Sequence, residues 1–221
     1  MRKALAGVLL IGLAIGWAGP AAAEDDEAEH RIFPPSSQPF GMSYAEWEGA
    51  YQIWYNEIPT PENPLVDPGS PRNCEVDGPV AFLGANGADC RIPEGKALVL
   101  SDGFWECSTA EGLGTTFRAL RRCAVDNFAR DLGREVFSLT LRIDGVRVRH
   151  PRAWTVVSPG EVITFPDDNL WGATPGPSKS VTKGILFILR PLKEGRHVIR
   201  IHGVVEAGGS FDIIWRIRVV D

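Results

Sequence analysis

The stretch Val136-Phe-Ser-Leu-Thr-Leu-Arg-Ile-Asp-Gly-Val-Arg-Val-Arg-His150 decides the fold class, because it holds the clearest local pattern in the chain. Two runs of alternating residues flank Asp144-Gly145, a dipeptide typical of a two-residue β-hairpin turn. Such a turn pairs Arg142 directly with Arg147. Those two arginines and Arg149 then share one face of the hairpin, and the aliphatic residues take the other. The pattern predicts two strands with one buried face.

Strand patterns continue on both sides of this hairpin. Short apolar or alternating runs bounded by turn residues predict further strands, at Pro79–Leu83, Lys96–Ser101, Ala153–Val157, Glu161–Phe165, Val181–Leu189, His197–Gly203 and Phe211–Val219. We expect Leu98 and Leu100 in the core. Many short strands with little helix between them predict a mainly β protein, an antiparallel β-sandwich of jelly-roll or immunoglobulin-like type.

Two segments show helical spacing instead. Ser43-Tyr-Ala-Glu46 is a capping-box pattern, and an aromatic stripe containing Trp47 and Trp54 follows it. Thr116–Leu132 is the second helical segment, with apolar residues on one face and Gly133 at its end. We expect both helices to pack at one side of the sandwich.

The first 39 residues precede the predicted domain. Arg2 and Lys3, an apolar run and Ala21-Ala22-Ala23 form the three parts of a secretory signal peptide, 1–23. A retained membrane anchor is the alternative, but the apolar run is shorter than the roughly 20 residues of a membrane-spanning helix. Residues 24–39 are acidic and then Pro-rich, which predicts a disordered lead-in. A single domain over 40–221 completes the chain, with a secreted or periplasmic location and no membrane span after cleavage.

The cysteines fit an exported protein. All of them follow the signal, and an even number in an oxidising compartment indicates disulfides. Three pairings are open, of which we favour the two local ones, Cys74–Cys90 and Cys107–Cys123. We expect no metal site, since no C-x-x-C spacing occurs and the histidines are scattered, and we expect no cofactor.

Charge is distributed unevenly along the chain. Residues 24–115 contain 4 basic and 17 acidic residues, whereas residues 116–221 contain 17 and 11. The basic half either meets an anionic partner or is neutralised by the acidic half, and we favour neutralisation. Nucleic acid is a poor partner for an exported chain that is negative overall.

The order of these features resembles a family of uncharacterised exported bacterial and archaeal proteins. The resemblance covers most of the chain after the signal. Its motifs are the Trp47…Trp54 helix, Asn63-Pro64, Cys74, Gly78-Pro79-Val80, Phe82-Leu83, Cys90-x-Ile92-Pro93-x-Gly95-Lys96-Ala97, Glu106-Cys107-Ser108, Pro191-Leu192-x-x-Gly195-x-His197-x-Ile199 and an aromatic-rich last strand. Ser101–Trp105 departs from the family's Pro-x-x-Asn run. The resemblance implies architecture and no chemistry.

Catalytic signatures such as G-x-S-x-G and H-E-x-x-H do not occur in the sequence. The best acid/base candidates are Asp102 and Glu106, because glycosidases use two carboxylates about 5–10 Å apart. Four residues that span a turn would place two carboxylates at that separation. We expect both residues at the rim of the domain.

Two candidate binding surfaces remain. Trp171 lies in a long loop beside Asp168 and Asn169, where an exposed indole would stack on a sugar; the alternative is a Trp folded back onto the sandwich. The face with Arg142, Arg147 and Arg149 would hold an anionic glycan or phosphate unless the acidic half neutralises it. The sequence thus favours an exported binding or structural module for a small-molecule or glycan ligand. A glycan hydrolase or lyase is the alternative.

Overall fold

The computed structural model describes residues 30–205 and 209–221. The expected signal peptide and residues 24–29 of the expected lead-in lie outside the described residues. The helices are α1 (Tyr44–Asn56) and α2 (Phe117–Glu135). The strands are β1 (Cys74–Asp77), β2 (Val80–Leu83), β3 (Ala88–Pro93), β4 (Ala97–Ser108), β5 (Val136–Ile143), β6 (Val146–Val148), β7 (Thr155–Val157), β8 (Glu161–Phe165), β9 (Gly176–Leu189), β10 (Gly195–Val205) and β11 (Ser210–Val220).

The strands form two sheets, which confirms a mainly β sandwich. The first sheet has the order β1-β2-β4-β9-β7, with β8 also paired to β9. The second sheet has the order β3-β11-β10-β5-β6. Most neighbours are antiparallel, but β2 pairs with β4, and β3 with β11, in parallel. The sandwich is therefore mainly antiparallel, with these two parallel pairs as the exceptions.

The hairpin at the centre of the sequence argument is confirmed. Arg142 pairs with Arg147, and the turn residues Asp144 and Gly145 have φ of 52° and 84°, as a type I′ turn requires. β6 is shorter than expected, so Arg149 lies just beyond its end.

Both favoured disulfides are present. Cys74 of β1 is bonded to Cys90 of β3. Since β1 is an edge strand of the first sheet and β3 an edge strand of the second, this bond joins the two sheets. Cys107 of β4 is bonded to Cys123 of α2, which ties the helix to the first sheet.

The two helices pack on opposite faces of the first sheet, not at one side as expected. Alternate residues of β9 point to opposite faces. Val181 packs with Leu120 of α2, whereas Gly184 lies against Glu48 of α1. β9 is buried on both faces from Ile185 to Leu189, so a single helix layer could not have covered it.

The described part of the expected disordered lead-in is ordered. Ile32 is 1% exposed and bridges to Leu189 of β9. The carbonyl of Phe33 accepts hydrogen bonds from the Tyr44 hydroxyl at 2.5 Å and the Trp154 indole at 3.0 Å. One aliphatic residue in this polar segment and two aromatic donors suffice to fix it on the domain.

Candidate functional site

A cleft of about 240 Å³ lies beside the edge of β4. It forms there because β2 pairs with β4 only from Ala97 to Val99, within the described part of the chain, so the later part of this edge is left open. The cleft combines aromatic and carboxyl side chains. Its lining residues are Phe104, Trp105, Glu106, Glu111, Leu113 and Trp171.

Glu106 is the buried carboxyl group of this cleft. It is 8% exposed, and the Ser180 hydroxyl donates a hydrogen bond to its Oε1. Burial first, and then the hydrogen bond with Glu111 and the charges of Glu111 and Glu161, together raise the pKa of Glu106 to about 9. Glu106 is therefore protonated at neutral pH, and its single proton lies in the hydrogen bond that joins it to Glu111.

Glu111 is held against Glu106 by the turn after β4. The Ser108 hydroxyl donates to Glu111 Oε2 at 2.7 Å and accepts from the Glu111 backbone N–H at 3.3 Å. The Ser108 hydroxyl thus bonds both the backbone and the side chain of Glu111 and fixes this carboxyl group at the turn. Sequence reasoning missed Glu111, although Ser108-Thr-Ala-Glu111 has the spacing that would have pointed to it.

Asp102 and Glu106 do not form the expected pair. Residues four apart on a regular strand share a face. β4, however, contains an extra residue between Asp102 and Trp105, where the register to β9 shifts. Gly103, with φ of 60°, provides the conformation for this β-bulge. Asp102 therefore shares a face with Trp105, and Glu106 points to the opposite side of the sheet.

Asp102 is buried between the sheets and does not lie at a rim. It lines a small cavity of about 60 Å³, together with Arg152 and apolar residues such as Phe128 and Phe211. Burial raises its pKa to about 6, against a hydrogen bond from the Gly103 backbone that lowers it. Glu106 is likewise buried, so the expectation of two carboxyl groups at the rim is wrong. Leu98 and Leu100 are buried as expected.

Trp171 is exposed and is not folded back onto the sandwich, so the first of the two alternatives for this residue is confirmed. Its side chain is 39% exposed, and its indole N–H donates to Asn56 Oδ1 of α1 at 2.5 Å. The Asn169 amide donates to the backbone carbonyls of Pro166 and Ala173 and so fixes the loop. Asp168 does not line the cleft; its backbone carbonyl accepts from Thr60.

A layer of polar side chains connects this Trp to the interior beneath α1. Asn56 donates to Gln52 Oε1 at 3.1 Å, Gln52 donates to Glu48 Oε1 at 3.1 Å, and Ser101 donates to Glu48 Oε2 at 3.2 Å. Glu48 is fully buried, and burial raises its pKa to about 7. We call Glu48, Gln52 and Asn56, with the strand residues that face them, the polar layer.

Glu161 of β8 completes the polar layer. Its Oε1 accepts from the Ser158 hydroxyl at 3.1 Å. Its Oε2 and the Thr182 hydroxyl have no hydrogen-bond partner among the described residues. Burial raises the pKa of Glu161 to about 7, and its charge raises the pKa values of Glu48 and Glu106. These carboxyl groups thus compete for ionisation on one face of the first sheet.

The outer face of the second sheet carries the expected arginines. Arg142 lies between Arg147 on one side and Arg200 on the other. Within residues 30–205 and 209–221, Asp89 of the acidic half lies 3.5 Å from Arg216 on this face. Neutralisation of the arginines by the acidic half stays a prediction, because the acidic run 24–29 lies outside the described residues. Arg149 lies beyond the end of β6 and is not part of the register in which Arg142 faces Arg147.

Metal-binding clusters and membrane-spanning helices are both absent from the described ranges. No group of three or more histidine, cysteine, aspartate or glutamate side chains there is arranged to hold a metal ion. None of the helices that these ranges contain has the length and apolar character needed to cross a membrane.

Comparisons with known proteins find no match: no family model, no curated protein and no solved structure corresponds to this chain. The resemblance to the exported family stays a prediction. Three features of the described residues bear on function: the cleft, the polar layer and the arginine-bearing face.

Proposed function

We propose that this protein is a binding module that holds a neutral sugar ring in the cleft between Trp171 and the Glu106–Glu111 pair. The observation that carries the proposal is the exposed indole of Trp171 beside two hydrogen-bonded carboxyl groups. An aromatic face packs against the apolar face of a sugar ring, and a few fixed polar groups at the side of a pocket give orientation.

The surroundings of both elements favour binding with little rearrangement. Asn56 fixes the edge of the Trp171 ring, so the indole is held in one orientation before a ligand arrives. The carboxyl oxygens of the Glu106–Glu111 pair keep lone pairs that are not used within the pair, and these can accept a hydrogen bond from a sugar hydroxyl. Preorganisation of this kind lowers the entropic cost of association.

The test uses a panel of neutral tetrasaccharides, β-1,4-linked glucose, N-acetylglucosamine, xylose and mannose, with binding followed by saturation-transfer NMR. We expect at least one of them to bind, and Trp171→Ala to abolish that binding. Phe40→Ala is the matched control, because Phe40 is also an exposed aromatic residue, at 46%, but lies outside the cleft. Equal binding by the Trp171→Ala variant would contradict the proposal.

A hydrolase is the second candidate, favoured by the carboxyl pair itself. A buried carboxyl group with a raised pKa, hydrogen-bonded to a second carboxyl group, is an arrangement that can act as acid and base on one water molecule. Direct hydrogen bonding places them closer than the roughly 5–10 Å that glycosidases use, so the usual two-carboxylate glycosidase mechanism does not fit. Release of reducing ends from the same tetrasaccharides, lost in both Glu106→Gln and Glu111→Gln, would establish this activity.

We also infer that the protein acts outside the cytosol. Two disulfides support this location, since they persist in oxidising compartments. The signal-like first 23 residues and the resemblance to an exported family favour the same compartment. Fractionation of cells that express the full chain, with the mass of the secreted or periplasmic product, tests both location and cleavage before Glu24.

A further inference from the structure

The outer face of the second sheet carries two rows of arginines that lie directly opposite one another on neighbouring strands. The register fixes both rows, because facing residues of paired strands point to the same face. The first row is Arg147, Arg142 and Arg200 on β6, β5 and β10. The second row is Arg196, Arg218 and Arg91 on β10, β11 and β3. We call these the arginine rows.

The spacing of the rows is set by the sheet. Within a row, neighbouring arginines are one strand apart, about 4.8 Å along the hydrogen-bonding direction. Arg196 and Arg200 lie four residues apart on β10, so the rows are separated by about 13 Å. Like charges directly opposite each other repel, so a folded sheet retains such rows at a cost in stability.

Partners within the described residues offset the first row and not the second. Arg200 pairs with Asp212 at 2.8 Å, and Arg142 donates to the carbonyl of Gly145 at 2.7 Å. Among the described residues, no acidic side chain forms an ion pair with any member of the second row, and each of its guanidinium groups is exposed. The second row is therefore the strongest concentration of uncompensated positive charge on this face.

A groove of about 670 Å³ opens beside the second row, along the edge strand β3. Arg91 and Arg216 line one side of it. Asp89, which lies 3.5 Å from Arg216, and uncharged polar residues such as Asn86 also line it. Hydroxyl groups of a ligand can bond to such residues while its anionic groups meet the arginines.

We propose that the arginine rows bind a linear polysaccharide that bears one carboxylate on each sugar, a polyuronate. A carboxylate placed between two facing arginines accepts hydrogen bonds from both and removes their repulsion. Val198, 44% exposed between the rows, gives an apolar contact for a sugar ring. Single-stranded nucleic acid does not suit this face, since base stacking mostly uses large aromatic side chains and the described strand positions of the face carry no Phe, Tyr or Trp.

This site is independent of the cleft at Trp171, because it lies on the other sheet. Titration of the mature chain, 24–221, with sodium polygalacturonate in a calorimeter tests it. We expect binding that weakens as ionic strength rises, and no binding of uncharged dextran. The Arg91→Gln/Arg218→Gln double variant should lose roughly tenfold in affinity, and its free form should melt at a higher temperature because a repulsion is gone.

The control variant is Arg118→Gln/Arg122→Gln, which removes the same charge from exposed positions on α2. Equal weakening in the control would show a net-charge effect and overturn the proposal. Binding of polyphosphate without binding of polygalacturonate would also overturn it. A third result would overturn it as well, namely binding of polygalacturonate that appears only after deletion of residues 24–29, Glu-Asp-Asp-Glu-Ala-Glu. That result would show that this acidic segment occupies the arginine rows in the intact chain.

Discussion

Gly184 lies against the polar layer at a position with no space for an added side-chain atom. A Cβ at this position would lie 2.7 Å from Glu48 Oε1 and 3.1 Å from Ser101 Oγ, both buried. Gly184→Ala must therefore push Glu48 out of its hydrogen bonds or bend β9. We expect a loss of about 1–3 kcal/mol in the free energy of unfolding, measured by urea denaturation.

Gly49→Ala is the matched comparison, because it adds the same methyl group to the helix side of the polar layer. Its Cβ would lie 3.2 Å from Glu161 Oε2, the free end of a side chain that can move. Alanine also stabilises a helix by about 0.5–1 kcal/mol relative to glycine. The change should therefore be near zero, and a loss as large as that of Gly184→Ala would contradict this description of the layer.

At this scale the sequence predicted Trp171 well and the buried acids poorly. Trp171 has no apolar neighbours in period with it, which is a local signal and indicates exposure. Glu48, Gln52 and Asn56 recur every four residues next to the aromatic stripe, and this helical spacing was available but not used. The failure of the Asp102–Glu106 pair has a physical cause, since the bulge at Gly103 reverses side-chain alternation and leaves no composition signal.

Elements built from neighbouring residues were predictable, and elements paired over long separations were not. The β5–β6 hairpin depends on two turn residues, so its register followed from sequence. β3 instead pairs with β11 in parallel, more than a hundred residues away in the chain, and Pro93 at its end obscured it. The cleft exists because the pairing of β2 with β4 ends at Val99 of β4. No local sequence pattern predicts where this pairing ends.

Each disulfide adds a covalent link to elements whose positions otherwise depend on long-range contacts. Each bond closes a sequence separation of 16 residues, so Cys74→Ala/Cys90→Ala and Cys107→Ala/Cys123→Ala should each lose about 3 kcal/mol of unfolding free energy. Hydrogen–deuterium exchange should distinguish the two variants. We expect faster exchange in β1 and β3 for the first variant and in α2 for the second. Identical exchange patterns in the two variants would contradict these separate roles.

For the whole molecule, the buried acids set how stability depends on pH. Burial raises the pKa of Asp102 to about 6, of Glu48 and Glu161 to about 7, and of Glu106 to about 9. Above about pH 4 the unfolded chain has released these protons and the folded protein has not. The folded state then binds more protons, so the unfolding free energy falls as pH rises, by up to about 1.4 kcal/mol per pH unit for each group.

We therefore expect the urea midpoint to be highest near about pH 5 and to drop steadily toward about pH 8, through the folded pKa values of these acids. Glu48→Gln keeps the shape of the side chain and removes one titrating group, so it should stabilise the protein at the higher pH and change little at the lower. Glu62→Gln, at an exposed position, is the control. A midpoint that stays constant over this range would show that these acids do not control stability.

The bond between Cys74 and Cys90 also determines how the molecule yields to tension. A pull on the chain ends extends only the residues outside the two closed loops, each with a separation of 16 residues. Each loop stores about 50 Å of contour length, at roughly 3.3 Å per residue, until its sulfur–sulfur bond is reduced. Because one bond spans the two sheets, force cannot peel them apart at that edge. Reduction would lengthen the stretched chain by about 100 Å, so the redox state of the surroundings sets how far this domain can extend under load.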